Sequence, residues 1–270
     1  MFSLRGDHLS ALRADESEPA AGDKAAREES LKLMRAKAEQ IIVRLGAGDD
    51  AQACELKETP LIHYSDQVRR LPESTLWVWQ RGGQPALFCK VERITDAAGA
   101  TKSWQYCCVP ATSEKADVEW RRDFRWRARE TPFQWMTIAE TADPRDQAAA
   151  RLTQMKAIAR EFGGQTEQTN VNSRQTMRLL ASPLLRYAAA DQNVLDGAVF
   201  GLTSNGTNPD ALLLVESLVK PEAKSRWRYA IVGMSGDAIE ITRSEAKVWS
   251  KPFSGGPGDH RSWMWYVSVP

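Results

Sequence analysis

Residues 179–216 read LLASPLLRYAAADQNVLDGAVFGLTSNGTNPDALLLVE, and residues 56–92 read LKETPLIHYSDQVRRLPESTLWVWQRGGQPALFCKVE. Leu56, Pro60, Leu61 and Tyr64 recur as Leu179, Pro183, Leu184 and Tyr187 at a constant offset (183 − 60 = 123). Upstream, Leu31, Met34, Ala38 and Ile41 recur as Leu152, Met155, Ala159 and Phe162 (152 − 31 = 121). Downstream, Trp104, Tyr106 and Trp126 recur as Trp227, Tyr229 and Trp249 (227 − 104 = 123). Trp135-Met136 recurs as Trp263-Met264 (263 − 135 = 128), which places a short Gly-rich insertion at 254–259. The changes of offset fall in polar stretches, where extra chain costs little. Self-similarity over roughly 110–120 residues implies two like units, each large enough for a domain of its own.

On this reading residues 1–24 are a disordered leader, 25–142 the first unit and 143–270 the second. Each unit opens on an amphipathic helix. In 25–45 the apolar residues Leu31, Met34, Ala38, Ile41, Ile42 and Leu45 keep the spacing of one buried stripe, and Gly46 suits a left-handed cap. In the second helix Asp143 is the N-cap, Pro144 the first helical residue, and Gly163-Gly164 the stop after Phe162.

Strand signals follow each helix at short spacing. They cover 75–79, 86–91, 103–109, 118–120 and 124–128 in the first unit, and 199–202, 211–216, 226–232, 238–242 and 247–250 in the second. A closing strand falls near 134–139 and again near 263–269. The expected fold class is α+β: an internal tandem duplication, each copy one amphipathic helix followed by an antiparallel β-meander. Glycine is kept at Gly206 and at Gly82 or Gly83, so Gly206 is expected at positive φ and Gly197 is not. That makes Gly206→Ala the costlier of the two substitutions.

Composition bounds the function classes. Net charge is +1, so no global field draws the chain to nucleic acid or to a membrane surface. No apolar run approaches the roughly 18 residues of a membrane span. MFSLRGDHLSALRA lacks the apolar centre of a secretory signal, so the chain as written is expected in the cytoplasm. ADESEPAAGDK resembles the start of exported mature chains, and an upstream start would make the protein exported or part of the cell envelope.

The four cysteines are Cys54, Cys89, Cys107 and Cys108. Cys89 and Cys107 flank a turn centred near Ala98 symmetrically and are expected on neighbouring strands, close enough for a disulfide; the matching positions Leu213 and Ala230 are apolar, so buried free thiols are the better reading. No Cys/His spacing suggests a metal, and no cofactor motif is present. The histidines His8, His63 and His260 have no nucleophile or carboxylate placed beside them by a motif, so no catalytic residue is assigned. Trp120 to Arg129 interleaves arginines with aromatics, but ITRSEAKVWS in the second unit does not, and a hairpin with a charged outer face is the better reading.

Of ten tryptophans, Trp77, Trp79, Trp120 and Trp265 belong to one unit only. Core burial and an aromatic-lined ligand groove are both open for them. In 75–79, Leu76 and Val78 alternate with Trp77 and Trp79, so the strand is apolar on both faces and is either central or lines a groove.

With Leu195 to Ala198, Gly206 to Pro209 and Leu212 to Glu216 as its marks, the chain over residues 25–270 resembles a protein family of planctomycete bacteria. No activity or catalytic residue is assigned to that family, and the resemblance carries none over. Its members often bear export signals, and this chain as written departs from them by lacking one, so the resemblance leaves the cytoplasmic and exported readings both open. The functional expectation is a non-enzymatic binding or interaction protein using a cleft between the units, with an unknown protein or an apolar small molecule as partner. The alternatives are a carrier of lipid or another apolar ligand, and a hydrolase whose site is assembled only by the fold.

Overall fold

The computed structural model describes residues 21–268 apart from 47, 67, 68, 70, 97, 99, 121–123, 140, 169–172, 221, 222, 256 and 257. His8, residues 1–20 of the expected leader and the turn 121–123 lie outside the described residues, as do Ala97 and Gly99 beside Ala98.

The first half runs α1 (Ala21–Ala38), β1 (Ile41–Leu45), β2 (Gln52–Ala53), β3 (Glu55–Leu56), β4 (Ile62–Asp66), β5 (Leu71–Arg81), β6 (Gln84–Thr95), β7 (Thr101–Pro110), β8 (Ala116–Trp120), β9 (Phe124–Arg127) and β10 (Met136–Thr137). The second runs α2 (Ala148–Ala159), β11 (Phe162–Gln168), β12 (Ser173–Leu179), β13 (Leu185–Ala189), β14 (Val194–Thr203), β15 (Ala211–Lys220), β16 (Ala223–Gly233), β17 (Ala238–Arg243), β18 (Ala246–Lys251), β19 (Gly258–Asp259) and β20 (Met264–Ser268). Strand makes up 57% of the structure and helix 13%, which overturns the α+β class: the fold is mostly antiparallel β and is not a duplicated helix plus meander.

Two local errors inflate the helices. The run Ile41-Ile42-Val43-Arg44-Leu45 does not extend α1 but forms β1, paired with β8 from Ile41 opposite Trp120 to Leu45 opposite Ala116. Three β-branched residues in a row favour the pleat, and Ile41, Val43 and Leu45 are buried while Ile42 is 44% exposed. Likewise Phe162 begins β11, and Gly163-Gly164 lies inside that strand, where Gly164 sits opposite Ile241 and Met177. Helix α2 starts at Ala148 rather than beside Asp143. The expected cap is replaced from within the helix: Gln154 accepts from the Arg145 N–H at 2.9 Å and donates to the Asp143 carbonyl at 2.9 Å.

The strands form three antiparallel sheets among the described residues. One has the order β2-β1-β8-β9; a second has β19-β20-β7-β6-β5-β3, with β4 also on β5. The third has β10-β16-β15-β14-β12-β11-β17-β18, with β13 also on β14. The closing strands cross over. β10 pairs with β16, Met136 opposite Tyr229, and β20 pairs with β7, Tyr266 opposite Tyr106. Each long sheet is thus finished by a strand from the other half, which a self-contained meander excludes.

Alternation along the central strands sorts three cores. Trp77, Trp79, Leu87 and Cys89 point toward Met34 and Ala38 of α1. Ala198, Phe200, Leu213 and Val215 point toward Met155 and Ile158 of α2. Leu76, Val78 and Phe88 meet Val199, Leu212, Leu214 and Val232 between the sheets. The order of layers is helix, sheet, sheet, helix, so the central strands are buried on both faces and apolar on both, as 75–79 reads.

Gly206 takes the expected positive φ of 56°. Its open surroundings reverse the expected cost, however: the nearest atom to an added Cβ is the Ser65 carbonyl oxygen at 3.6 Å. At Gly197 a Cβ would fall 2.6 Å from Tyr187 Cζ and 3.1 Å from Glu216 Cγ, both fixed in the core. Gly206→Ala is therefore expected to cost about 1 kcal/mol through backbone strain, and Gly197→Ala about 2–3 kcal/mol through overpacking. Urea denaturation of the two variants ranks them; an equal cost would mean that Tyr187 swings aside freely.

Candidate functional site

The turn Gly82-Gly83 joins β5 to β6 with both residues at positive φ, 55° and 84°, a two-residue hairpin that glycine accepts without strain. It is pressed onto the other half: a Cβ on Gly83 would lie 2.5 Å from the Ala188 carbonyl oxygen. The turn thereby projects Arg81 and Gln84 into the seam between the halves. There they line a cavity of about 190 Å³ with Leu45, Pro85, Ala86, the 111–114 segment, Trp135, Gln192 and Arg228.

Glu216 anchors one wall. It is fully buried at the end of the apolar run of β15, and its carboxylate accepts from the Tyr187 hydroxyl at 2.6 Å and from Gln84 Nε2 at 2.8 Å. Arg228 Nε donates to it at 2.8 Å and Nη2 lies 2.6 Å from it. The guanidinium carbon of Arg228 lies 4.1 Å from the centroid of the Trp135 ring, a cation–π contact. Burial first, then the neighbouring Glu216 charge, pushes the Tyr187 hydroxyl well above its ordinary pKa, so it stays a donor. Arg81 grips Glu114 through both terminal nitrogens, one at 2.8 Å, and this hydrogen bond holds the Glu114 carboxyl below the usual range.

A second polar cluster ties the halves at Asp66. Its carboxylate accepts from the Arg69 N–H at 3.0 Å, Asn205 Nδ2 at 2.8 Å and Asn208 Nδ2 at 2.9 Å. Arg69 reaches Asp66 at 3.1 Å, Asp210 at 3.1 Å and Asp237 at 3.2 Å. Burial alone would raise the Asp66 carboxyl, but Asn208 and Arg69 together hold it below its ordinary value. Among the described residues no group of three or more His, Cys, Asp or Glu side chains is placed to hold a metal ion.

The four candidate tryptophans are not brought together in a groove. Trp77 and Trp79 are each 1% exposed and Trp120 4%, all packed in the core beneath α1. Trp120 is wedged against Tyr106 and Tyr266, with ring centroids 5.3 and 5.0 Å away. Trp265 is half-buried in β20, with the Trp263 ring 6.3 Å from its own. On β9, Arg125 and Arg127 both pair with Asp117, which accounts for the outer arginines of that hairpin. His63 accepts from Arg27 Nε at 3.2 Å and His260 stacks on Trp263 at 4.3 Å. The cysteine register differs by one residue from expectation: Cys89 faces Cys108, and Cys107 faces Lys90.

Sequence reasoning passed over Gln84, Glu216 and Arg228. The one available signal is a carboxylate closing the run Leu212-Leu213-Leu214-Val215, because an acid at the end of a buried strand needs donors nearby. No protein-family model, curated protein or solved structure matches this chain.

Proposed function

We propose that this chain is a binding protein whose site is the seam cleft, taking a small polar molecule that carries a carboxylate. The observation that carries this reading is the fixing of Arg228. Glu216 takes its Nε and Nη2, Trp135 covers one face, and Arg228 lines the cavity. An arginine held in this way donates to an anion with little further loss of side-chain freedom. The lining also offers Gln192, Thr112 and Ser113 as neutral hydrogen-bonding groups, while Glu114 is already held by Arg81.

Two features weigh against the other readings. The lining includes neither histidine nor cysteine, and its carboxylate Glu114, beside Ser113, is held by Arg81 below its usual range, which makes it a weak base for a hydroxyl nucleophile. The space between the sheets is occupied by Leu76, Val78, Phe88, Val199, Leu212 and Leu214, all fully buried, where a lipid carrier would need a cavity.

Titration with small carboxylates, zwitterions and their uncharged amides tests the proposal by intrinsic fluorescence and calorimetry. A carboxylate is expected to alter the emission of the wild type and of a Trp79→Phe control, and not that of Trp135→Phe. Arg228→Lys is expected to weaken binding about tenfold or more, the loss of one charge-assisted hydrogen bond at about 1.4 kcal/mol. Equal binding of the amides, or no response to any carboxylate, would remove the support for Arg228 as an anchor.

A further inference from the structure

We infer that Cys89 and Cys108 form a disulfide when the chain folds in an oxidising environment. The register of β6 on β7 sets the two residues directly opposite each other, and Cys108 Sγ lies 2.9 Å from Cys89 Sγ. Directly opposed residues of an antiparallel pair have Cα atoms about 4.5–5.5 Å apart, inside the roughly 4.4–6.8 Å that a disulfide spans. Both side chains are fully buried in the core beneath α1. Cys107 is next in sequence but belongs to the other face of the pleat, opposite Lys90. Cys54 is only partly buried, after β2. The geometry therefore selects one partner for Cys89.

Because the pair is sealed in the core, oxidation belongs to folding, before the sheet closes over it. The oxidant is a disulfide, either glutathione disulfide or the active-site disulfide of a thiol oxidase. One cysteine thiolate attacks it and releases the first thiolate of the oxidant. The second cysteine thiolate then attacks the mixed disulfide and releases the other. Two protons leave, and the two electrons lost by Cys89 and Cys108 reduce the oxidant to two thiols. The bond would pin β6 to β7 two residues from their end, where Leu87 opposes Pro110 and the Ala111 N–H donates to the Ala86 carbonyl at 2.8 Å. Ala86 and Ala111 line the seam cleft, so the bond stiffens one of its walls.

Refolding the reduced full chain in a glutathione redox buffer, with alkylation of free thiols before proteolysis, tests the inference. The expected product is lighter by two hydrogen atoms, with a Cys89–Cys108 linked peptide and with Cys54 and Cys107 alkylated. Its unfolding midpoint should lie about 5–10 °C above that of the fully reduced protein. Cys107→Ala should keep the link and Cys108→Ala should lose it. Alkylation of all four thiols, or a link from Cys89 to Cys107 or Cys54, would overturn the assignment.

Discussion

Arg69→Met is expected to destabilise the fold by about 3–5 kcal/mol, the range for removing one partner of a buried ion pair. Arg69 is the one side chain that reaches Asp66, Asp210 and Asp237 together among the described contacts, and Asp66 and Asp210 are buried. Methionine keeps much of the stem and removes the charge, leaving Asn205, Asn208, Ser204 and Ser235 as neutral donors to the three carboxylates. Arg69→Lys retains charge but cannot fork between three acids and should fall between the two.

The pH dependence has a definite sign. In the wild type the Asp66 pKa is depressed, so its contribution is present above the unfolded value of about 4 and is lost as pH falls below it. In Arg69→Met the Asp66 carboxylate loses the cation that holds its pKa down and protonates more readily, so the penalty should be smaller at pH 5 than at pH 7. Urea titrations of the three proteins at both values decide the matter. A loss under 1 kcal/mol, unchanged with pH, would mean that water replaces the guanidinium.

Residue patterns made part of this legible. The stripe Leu31, Met34, Ala38 located α1, and the two apolar faces of 75–79 narrowed it to a central or groove-lining strand, of which burial on both sides selects the first. The offset aligning Tyr64 with Tyr187 also corresponds to a shared interaction: Tyr64 donates to Glu92 at 2.8 Å as Tyr187 donates to Glu216 at 2.6 Å. The fold class failed where one pattern serves two structures. Ile41 and Leu45 satisfy a helical stripe at four residues' spacing, and with Val43 they equally satisfy a strand of period two. Burial follows the second.

Crossing of β10 and β20 between the sheets was beyond local reasoning, since a two-residue strand such as Met136–Thr137 carries no periodicity. The cysteine partner turned on a single register step, and the symmetry of Cys89 and Cys107 about Ala98 ignores the irregularity in pairing between Ile94 and Thr95. The cleft was illegible for a related reason. Gln84, Trp135, Glu216 and Arg228 are distant in sequence and meet only because the Gly82-Gly83 turn seats on β13.

Glu216→Ala is expected to cost about 3–5 kcal/mol, and Tyr187→Phe only about 1 kcal/mol, although the two side chains share a hydrogen bond. The asymmetry follows from what each change leaves behind. Tyr187→Phe removes one donor from a carboxylate that keeps Gln84 and Arg228. Glu216→Ala leaves three donors at once: the buried Tyr187 hydroxyl, the Gln84 amide and a guanidinium held against Trp135. It also opens a void beneath them in a well-packed region. Glu216→Gln keeps the volume and can still accept from Tyr187, so the lost charge against Arg228 should cost about 1–2 kcal/mol. Arg228 keeps 21% of its side chain exposed, which gives the competing outcome a definite form. If the guanidinium turns to solvent once Glu216 is gone, Glu216→Ala will cost little more than Tyr187→Phe, and Trp135 emission will shift as its ring is uncovered. Denaturant unfolding with tryptophan emission as the probe reads both quantities, and matching costs for the two variants would show that Glu216 does not hold Arg228 in place.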